Sequence, residues 1–205
     1  MSRVARICLC LMPALSIAGI AAAPAGARST DMFPPEISTQ LPAGYADYLA
    51  DMDEPRLWKP KAAKGFRTRI RFSISGIVLA KASIRIDERE NGKITGHLAM
   101  LDYERGSHGT GVVTETLFSV TRQQFEDLQR KIAQSALWSI YPEFYNGDPK
   151  DICIDGENII LERVDAKGYR FSTANAQCTA PGEILAIAEN IVDLAKATRV
   201  KGWLR

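Results

Sequence analysis

The arrangement of strands and helices is best predicted from residues 151–178, D-I-C-I-D-G-E-N-I-I-L-E-R-V-D-A-K-G-Y-R-F-S-T-A-N-A-Q-C. Two turn sequences, D-G-E-N at 155–158 and D-A-K-G at 165–168, divide this stretch into three short runs. These runs are rich in β-branched and aromatic residues, which is typical of strands. We therefore predict a β-meander with strands at 152–154, 159–164 and 169–173, and with a helix on either side of it.

Both cysteines that we expect in the mature protein, Cys153 and Cys178, lie in this stretch. The other two, Cys8 and Cys10, precede most of an N-terminal apolar run and should be removed with it. Disulfides persist in exported proteins, so we predict a Cys153–Cys178 bond that ties the meander to the start of the last helix. The alternatives are a buried thiol pair and a bond between two molecules.

The N-terminus has the pattern of a secretory signal peptide. Two arginines precede an apolar run at 7–20, and small residues follow it, with cleavage sites at Ala23 and Ala27. Cleavage after Ala27 is preferred, because cleavage after Ala23 would leave a proline at the first mature position. The apolar run is shorter than the roughly 18–20 residues of a membrane span. We therefore predict that residues 1–27 are removed and that the protein is periplasmic or secreted.

The charge balance of the mature chain argues against broad electrostatic binding. Cleavage removes two of the 26 Lys+Arg residues and none of the 24 Asp+Glu, which leaves a formal charge of zero. Nucleic-acid-binding domains usually carry a strong basic excess, so we expect no nucleic-acid partner. No other stretch is apolar over the length of a membrane span, and the mature length suits one domain.

Residues 28–62 form a proline-rich segment, which we call the N-terminal arm. Its prolines interrupt regular structure, but a short amphipathic helix is predicted near Pro42. Its apolar face would consist of Tyr45, Tyr48, Leu49 and Met52. This face could dock on a partner, but packing on its own domain, predicted at 63–205, is favoured.

From residue 66 the apolar residues recur at every second position, which predicts strands with one buried face. Even positions through 86 are mostly apolar, and Ser75-Gly76 marks a turn or bulge. Arg67, Arg69 and Arg71 occupy odd positions and would form a basic stripe. We expect this stripe to be a solvent-exposed face, with an anion-binding surface as the alternative.

Turn and capping signals divide the rest of the chain. Asn91-Gly92 predicts a tight I′ hairpin between strands at 82–90 and 93–101, and a looser loop at 104–111 leads to a strand at 112–120. Thr121 and Gln124 form a capping-box sequence at the start of a helix. A last helix is predicted to begin near Pro181.

The apolar faces of these two helices complete the predicted fold. They are Phe125, Leu128, Ile132 and Ala136 in the first helix, and Ile184, Ile187, Ala188, Ile191 and Ala195 in the last. The fold class is α+β: an antiparallel β-meander, a helix, a second β-meander and a C-terminal helix packed on the sheet.

Residues 151–162 come close to the calcium loop of an EF-hand. Asp151, Asp155, Gly156 and Glu162 match its pattern, but Cys153 stands at the third ligand position and offers no oxygen. The second half of the stretch has the composition of a strand, whereas an EF-hand loop is flanked by helices. A hairpin turn is therefore favoured, and no metal site is predicted.

The glycine-rich loop around His108 is the candidate for catalysis. Asp102, Glu104, Ser107 and His108 bring an acid, a hydroxyl and an imidazole close together in sequence. A Ser–His–acid site needs the histidine bonded to both partners, which adjacent residues seldom achieve. A solvated loop is therefore favoured. His97 is placed on the outward face of its strand, and two histidines are too few for a zinc site without cysteine ligands.

The sequence contains no clear catalytic constellation. Trp58, Trp138 and Trp203 could stack on a sugar or a peptide, but isolated tryptophans are more often packing residues. We expect an exported domain that binds a protein or a small ligand, or that is a structural component of a cell-envelope or secreted assembly, without a cofactor. The alternatives are a hydrolase that uses the His108 loop and a carrier of an apolar ligand.

Overall fold

The computed structural model describes residues 31–38, 41, 44–75, 80–103, 111–139, 156–177 and 182–204. The predicted signal peptide, the predicted strand at 152–154, the His108 loop and both Cys153 and Cys178 lie outside these ranges.

A six-stranded antiparallel sheet forms the centre of the protein, with strand order β4-β3-β2-β1-β5-β6. The strands are β1 Phe66–Ser75, β2 Ala80–Arg89, β3 Ile94–Tyr103, β4 Gly111–Phe118, β5 Asn158–Asp165 and β6 Gly168–Asn175. β1 comes first in the chain but lies inside the sheet, between β2 and β5. The predicted α+β class, with two meanders separated by a helix and a helix at the C-terminus, is confirmed.

Helices cover one face of the sheet. They are α4 Arg122–Gln134, α5 Gly182–Leu194 and α6 Thr198–Trp203, the last of which was not predicted. α4 begins with the predicted capping box: the Gln124 N–H donates to Thr121 Oγ1 at 3.2 Å, and the Thr121 N–H donates to Gln124 Oε1 at 2.9 Å. None of the helices in the described ranges has the length and apolar character that crossing a bilayer requires.

The main core lies between these helices and the sheet. Positions 70–74 of β1 and 82–86 of β2 follow the predicted pattern: their even residues point into this core and are almost completely buried, namely Ile70, Phe72, Ile74, Ala82, Ile84 and Ile86. Phe125, Leu128 and Ile132 of α4 and the apolar face of α5 pack against them. Ala136, predicted to lie on the same face of α4, is exposed beyond its end. Phe66 does not join this core, because the strand register shifts beside it and its ring contacts Arg69 and Arg89.

The N-terminal arm covers the other face of the sheet. Its described residues include α1 Pro35–Ser38 and α2 Tyr45–Asp51, and α3 Pro60–Ala63 lies at its end. A second core forms where it meets the sheet, made of Met32, Phe33, Tyr48, Leu49 and Met52 from the arm and Ala99, Leu101 and Ile160 from the strands. Tyr48, Leu49 and Met52 of the predicted apolar face therefore pack on the sheet of their own chain.

The expectation that the arginine stripe of β1 faces solvent is wrong. Arg67 is exposed, but Arg69 is only 7% exposed and Arg71 is fully buried. The arm lies over these positions and brings a carboxylate. Ion pairs therefore compensate the charges, which water would otherwise solvate. Both faces of the central strands are consequently buried.

The β2–β3 hairpin uses the predicted residues in a different turn. Gly92 has a φ of 83°, whereas Asn91 is not in the positive-φ region. The Gly92 N–H donates to the Arg89 carbonyl at 2.9 Å, and the Lys93 N–H donates to Asn91 Oδ1 at 3.0 Å. The loop is therefore not the I′ turn, which needs a positive φ at both central residues.

Candidate functional site

Two groups of polar side chains stand out in the described part of the chain. The first is a buried ion cluster on the arm side of the sheet, formed by Glu54, Arg71, Arg85, His97 and Glu162. The second lines a cleft between α4 and the β5–β6 hairpin, on the helix side.

Arg71 is the centre of the buried ion cluster. Its Nε donates to Glu162 Oε2 at 2.6 Å, and its Nη1 donates to the Pro55 carbonyl at 2.8 Å. Tyr169 donates its hydroxyl proton to Glu162 Oε1 at 2.9 Å. Burial alone would lower the pKa of Arg71, but the Glu162 and Glu54 carboxylates raise it above its usual range. Arg71 is therefore a permanent buried cation.

Glu54 supplies the charge that the arm brings to the sheet. Arg71 and Arg85 stand directly opposite each other on β1 and β2, where two like charges would repel. Glu54 contacts both, with Arg71 Nη1 at 3.5 Å and a close hydrogen bond from Arg85 Nη1. Burial alone would raise the pKa of Glu54, but His97 and the two arginines lower it to about 2. Glu54 is therefore ionised at neutral pH.

His97 lies at the rim of the same cluster, between two carboxylates. Its Nδ1 is 3.4 Å from Glu54 Oε1, and its Nε2 is 3.6 Å from Glu115 Oε1. The Glu54 contact raises the pKa of His97, although burial acts in the opposite direction. His97 lies on the face of β3 that was predicted to be the outward one. The arm covers that face.

The buried ion cluster is best explained as a clamp that holds the arm on the sheet. Each of its charges is within reach of an opposite charge from the same chain. Arg69, beside it on β1, is likewise bound by Asp87 through two hydrogen bonds of 2.8 and 3.0 Å. The alternative that the β1 arginines grip an anionic ligand is therefore not supported for Arg69 and Arg71.

The second group lines a cleft of about 470 Å³, which we call the α4–hairpin cleft. One wall comes from α4 and the residues after it, and the other comes from β5, β6 and the turn between them. Four of its ten lining residues are basic and one is acidic. The lining consists of Gln129, Arg130, Ile132, Ala133, Ser135, Trp138, Arg163, Asp165, Lys167 and Arg170.

Asp165 organises the arginines of the cleft. It accepts a hydrogen bond from Arg163 Nε at 2.7 Å, a close one from Arg170 Nη2, and one from the Lys167 N–H at 2.9 Å. Burial alone would raise the pKa of Asp165, but the Lys167 N–H and the two guanidinium groups hold it below its ordinary value. One carboxylate thus fixes two cations side by side and neutralises only one of them.

Arg170 retains unused hydrogen-bonding capacity. Its guanidinium lies over the Trp138 ring, 5.5 Å from the centroid, which is the geometry of a cation–π contact. Its Nε is buried and has no hydrogen-bond partner within the described ranges. Buried donors on charged groups are normally paired. The cleft therefore combines fixed positive charge, a charged donor with spare capacity and an aromatic wall.

The residues that the sequence singled out are dispersed over the molecule. Trp138 lies in the cleft, whereas the Trp58 indole N–H donates to the Asp31 carbonyl at 2.9 Å. Asp102, the acid proposed beside His108, forms a pair of hydrogen bonds with Arg199 of α6. Glu162, the last residue of the calcium-like motif, is fully buried against Arg71.

Residues needed to test the predicted His108 site, calcium-like motif and disulfide lie outside the described ranges. They are Glu104, Ser107, His108, Asp151, Cys153, Asp155 and Cys178. Within the described ranges, no group of three or more His, Cys, Asp or Glu side chains is placed to hold a metal ion.

Comparison with known proteins does not assign a class to these sites. No protein-family model matches the sequence, and no curated protein matches it. The functional argument therefore rests on the geometry of the sites.

The cleft residues Arg163, Asp165 and Arg170 were missed in the sequence, although the turn between the strands was predicted. The sequence did contain a signal for this group. Arg163 and Arg170 stand directly opposite each other on β5 and β6. Two like charges at opposed positions of a hairpin repel each other, and an aspartate at the end of the hairpin is placed to compensate both.

Proposed function

We propose that this chain is a binding protein for a small anionic ligand and that the ligand is held in the α4–hairpin cleft. The observation that carries the proposal is the surplus of fixed positive charge in the cleft, where four basic side chains accompany one carboxylate, Asp165. An anion bound there would balance the positive charge that Asp165 does not neutralise.

The shape and lining of the cleft indicate what else the ligand carries. Its volume of about 470 Å³ lies within the range of small-molecule sites. Trp138, Ile132 and Ala133 offer aromatic and apolar surface beside the arginines. We infer a phosphate or carboxylate that is attached to an aromatic or apolar group. This lining favours an anionic ligand over the purely apolar ligand that remained an alternative from the sequence.

Phenyl phosphate is expected to bind the mature protein more tightly than inorganic phosphate, because only phenyl phosphate can use Trp138. Arg170→Gln should weaken phenyl phosphate binding at least tenfold, since a charge-assisted hydrogen bond is worth about 1.5–3 kcal/mol. Isothermal titration calorimetry on the wild type and the variant measures both differences.

Arg199→Ala is the matched control for this experiment. Arg199 is an exposed arginine on α6 that is bonded to Asp102 and does not line the cleft. Its loss should leave phenyl phosphate binding unchanged. Equal weakening in Arg170→Gln and Arg199→Ala would show that the anion responds only to the overall charge, and the proposed site would be rejected.

We also propose that this binding takes place outside the cytoplasm, on the strength of the signal-peptide pattern and the two remaining cysteines. Intact-mass measurement of protein recovered from the exported fraction should give a chain that begins at Arg28. Alkylation of the unreduced, denatured protein should label no thiol, because Cys153 and Cys178 are joined. A membrane-bound chain that retains residues 1–27, or two labelled thiols, would contradict the respective part of this proposal.

A further inference from the structure

The two edges of the sheet are protected very differently. On β6, Ser172, Thr173 and Ala174 are buried, and Phe171 packs edge-to-face against Phe33 of the arm with ring centroids 5.8 Å apart. On β4, every residue from 112 to 117 is exposed. The large exposed hydrophobic residues of the described chain all lie on this strand: Val112 at 61%, Val113 at 38% and Leu117 at 78%.

β4 has the properties of a strand that can accept another strand. It pairs with β3 along its whole length, and among the described strands it is the last one on that side of the sheet. Its outer edge, which no strand of the described ranges covers, therefore presents backbone N–H and C=O groups at strand spacing. Its sequence, G-V-V-T-E-T-L-F, contains neither the proline nor the lysine that commonly protects an edge. The complementary occupant of such an edge is an extended polypeptide.

A second copy of the chain is a poor occupant, because of Glu115. In an antiparallel pairing that sets Val113 against Leu117 of the second copy, the two Glu115 side chains stand directly opposite each other. Like charges at opposed positions destabilise a strand pair. If the second copy is shifted by two residues along the strand, Glu115 stands opposite Val113 or Leu117. Val113 and Leu117 then no longer face each other. Glu115 thus acts against self-pairing.

The same residue indicates what an acceptable partner carries. Glu115 lies between Val113 and Leu117 on one face of β4, and its side chain is 55% exposed. Its contact with His97 is long, at 3.6 Å. We propose that β4 binds an extended segment of another protein with the pattern apolar-x-Lys/Arg-x-apolar. The cation of the segment faces Glu115, and its two apolar side chains face Val113 and Leu117.

The probe for this surface is the acetylated peptide T-V-T-K-T-V-T, and the same peptide with glutamate in place of lysine is its matched control. Binding to the full mature protein is measured by fluorescence anisotropy of labelled peptides. The lysine peptide is expected to bind about tenfold more tightly, since both a favourable and an unfavourable cross-strand charge pair contribute to the difference. The variant Glu115→Lys should reverse the preference. Leu117→Thr should weaken the binding of both peptides, because it removes an apolar contact without adding a charge.

Glu115 and Leu117 are exposed, so these variants are expected to fold, and circular dichroism of each one verifies it. Equal affinity for the two peptides, or no binding of either, would overturn the proposal. The mass of the wild-type protein in solution provides a second test. A dimer that Leu117→Lys converts to a monomer would show that a second copy occupies β4 and would also overturn it.

Discussion

Arg71→Ala is expected to lower the free energy of unfolding by about 3–5 kcal/mol, the cost of breaking a buried ion pair from one side. The variant leaves Glu162 fully buried with the Tyr169 hydroxyl but without its cation, at a position that water does not reach. For a chain of this length the loss corresponds to a fall in Tm of about 6–20 °C. Urea denaturation followed by circular dichroism measures it.

Two further variants show that the loss comes from the unpaired charge. Arg67→Ala, on the same strand but at an exposed position, should change stability by less than about 0.5 kcal/mol. The double variant Arg71→Met with Glu162→Gln removes both charges and should recover a large part of the loss. If the double variant is less stable than Arg71→Ala, lost packing and not the orphaned carboxylate explains the effect.

Acidification is expected to remove about 3 kcal/mol of stability through Glu54 alone. The pKa of Glu54 is lowered to about 2 from an ordinary value of 4.5, because His97, Arg71 and Arg85 outweigh the effect of burial. A difference of this size is worth about 3 kcal/mol at 1.36 kcal/mol per unit. Because the folded pKa is the lower one, this stability is fully present above about pH 5 and is lost as the pH falls towards 2. Denaturation curves between pH 7 and pH 2 measure it.

Glu54→Gln separates this contribution from those of the other carboxylates. The variant should be less stable than the wild type at pH 7, and the difference between the two should shrink steadily below pH 5. A difference that stays constant down to pH 3 would contradict the assignment to Glu54. His97 has the opposite pH dependence, because its pKa is raised in the folded protein. Its contribution to the free energy of unfolding is fully present below its unfolded pKa of about 6.5 and is lost as the pH rises through the folded value.

The sequence was sufficient for the elements whose signals are local. The period-two pattern of β1 and β2 identified the buried even face, and the Thr121–Gln124 pair located the start of α4. The turn at 165–168 separated β5 from β6. In each case the deciding interaction joins residues that are close in the chain, so a pattern within a short window contains it.

The exposure of the odd face of β1 was predicted wrongly because it depends on residues far away in the chain. From the residues beside it in the sequence, Arg71 is predicted to be exposed to solvent. It is buried by Glu54, 17 residues before it, and by Glu162, 91 residues after it. One signal was available: Glu162 follows three consecutive apolar residues, Ile159, Ile160 and Leu161, inside a strand. A lone charge in such a run indicates a buried partner, but not which one.

The α4–hairpin cleft was beyond sequence reasoning for a related reason. Its charges come from adjacent strands and could be grouped, but Trp138 and Gln129 join them only through the packing of α4 on the sheet. The direction in which α4 crosses the sheet is set by its core residues, such as Phe125. A single sequence does not encode that angle in any short pattern.

The opposition of Arg71 and Glu162 in the pairing of β1 with β5 has a consequence for how the sheet assembles. β5 offers β1 a largely aliphatic strand, and aliphatic strands can slide along each other by two residues without changing faces. Either such slip would leave Arg71 opposite Ile160 or Val164. Each misaligned pairing would thus carry an unmatched guanidinium in a region closed by the arm. The ion pair therefore selects one alignment of two strands that are distant in the chain, and hydrophobic contacts alone would distinguish these alignments poorly.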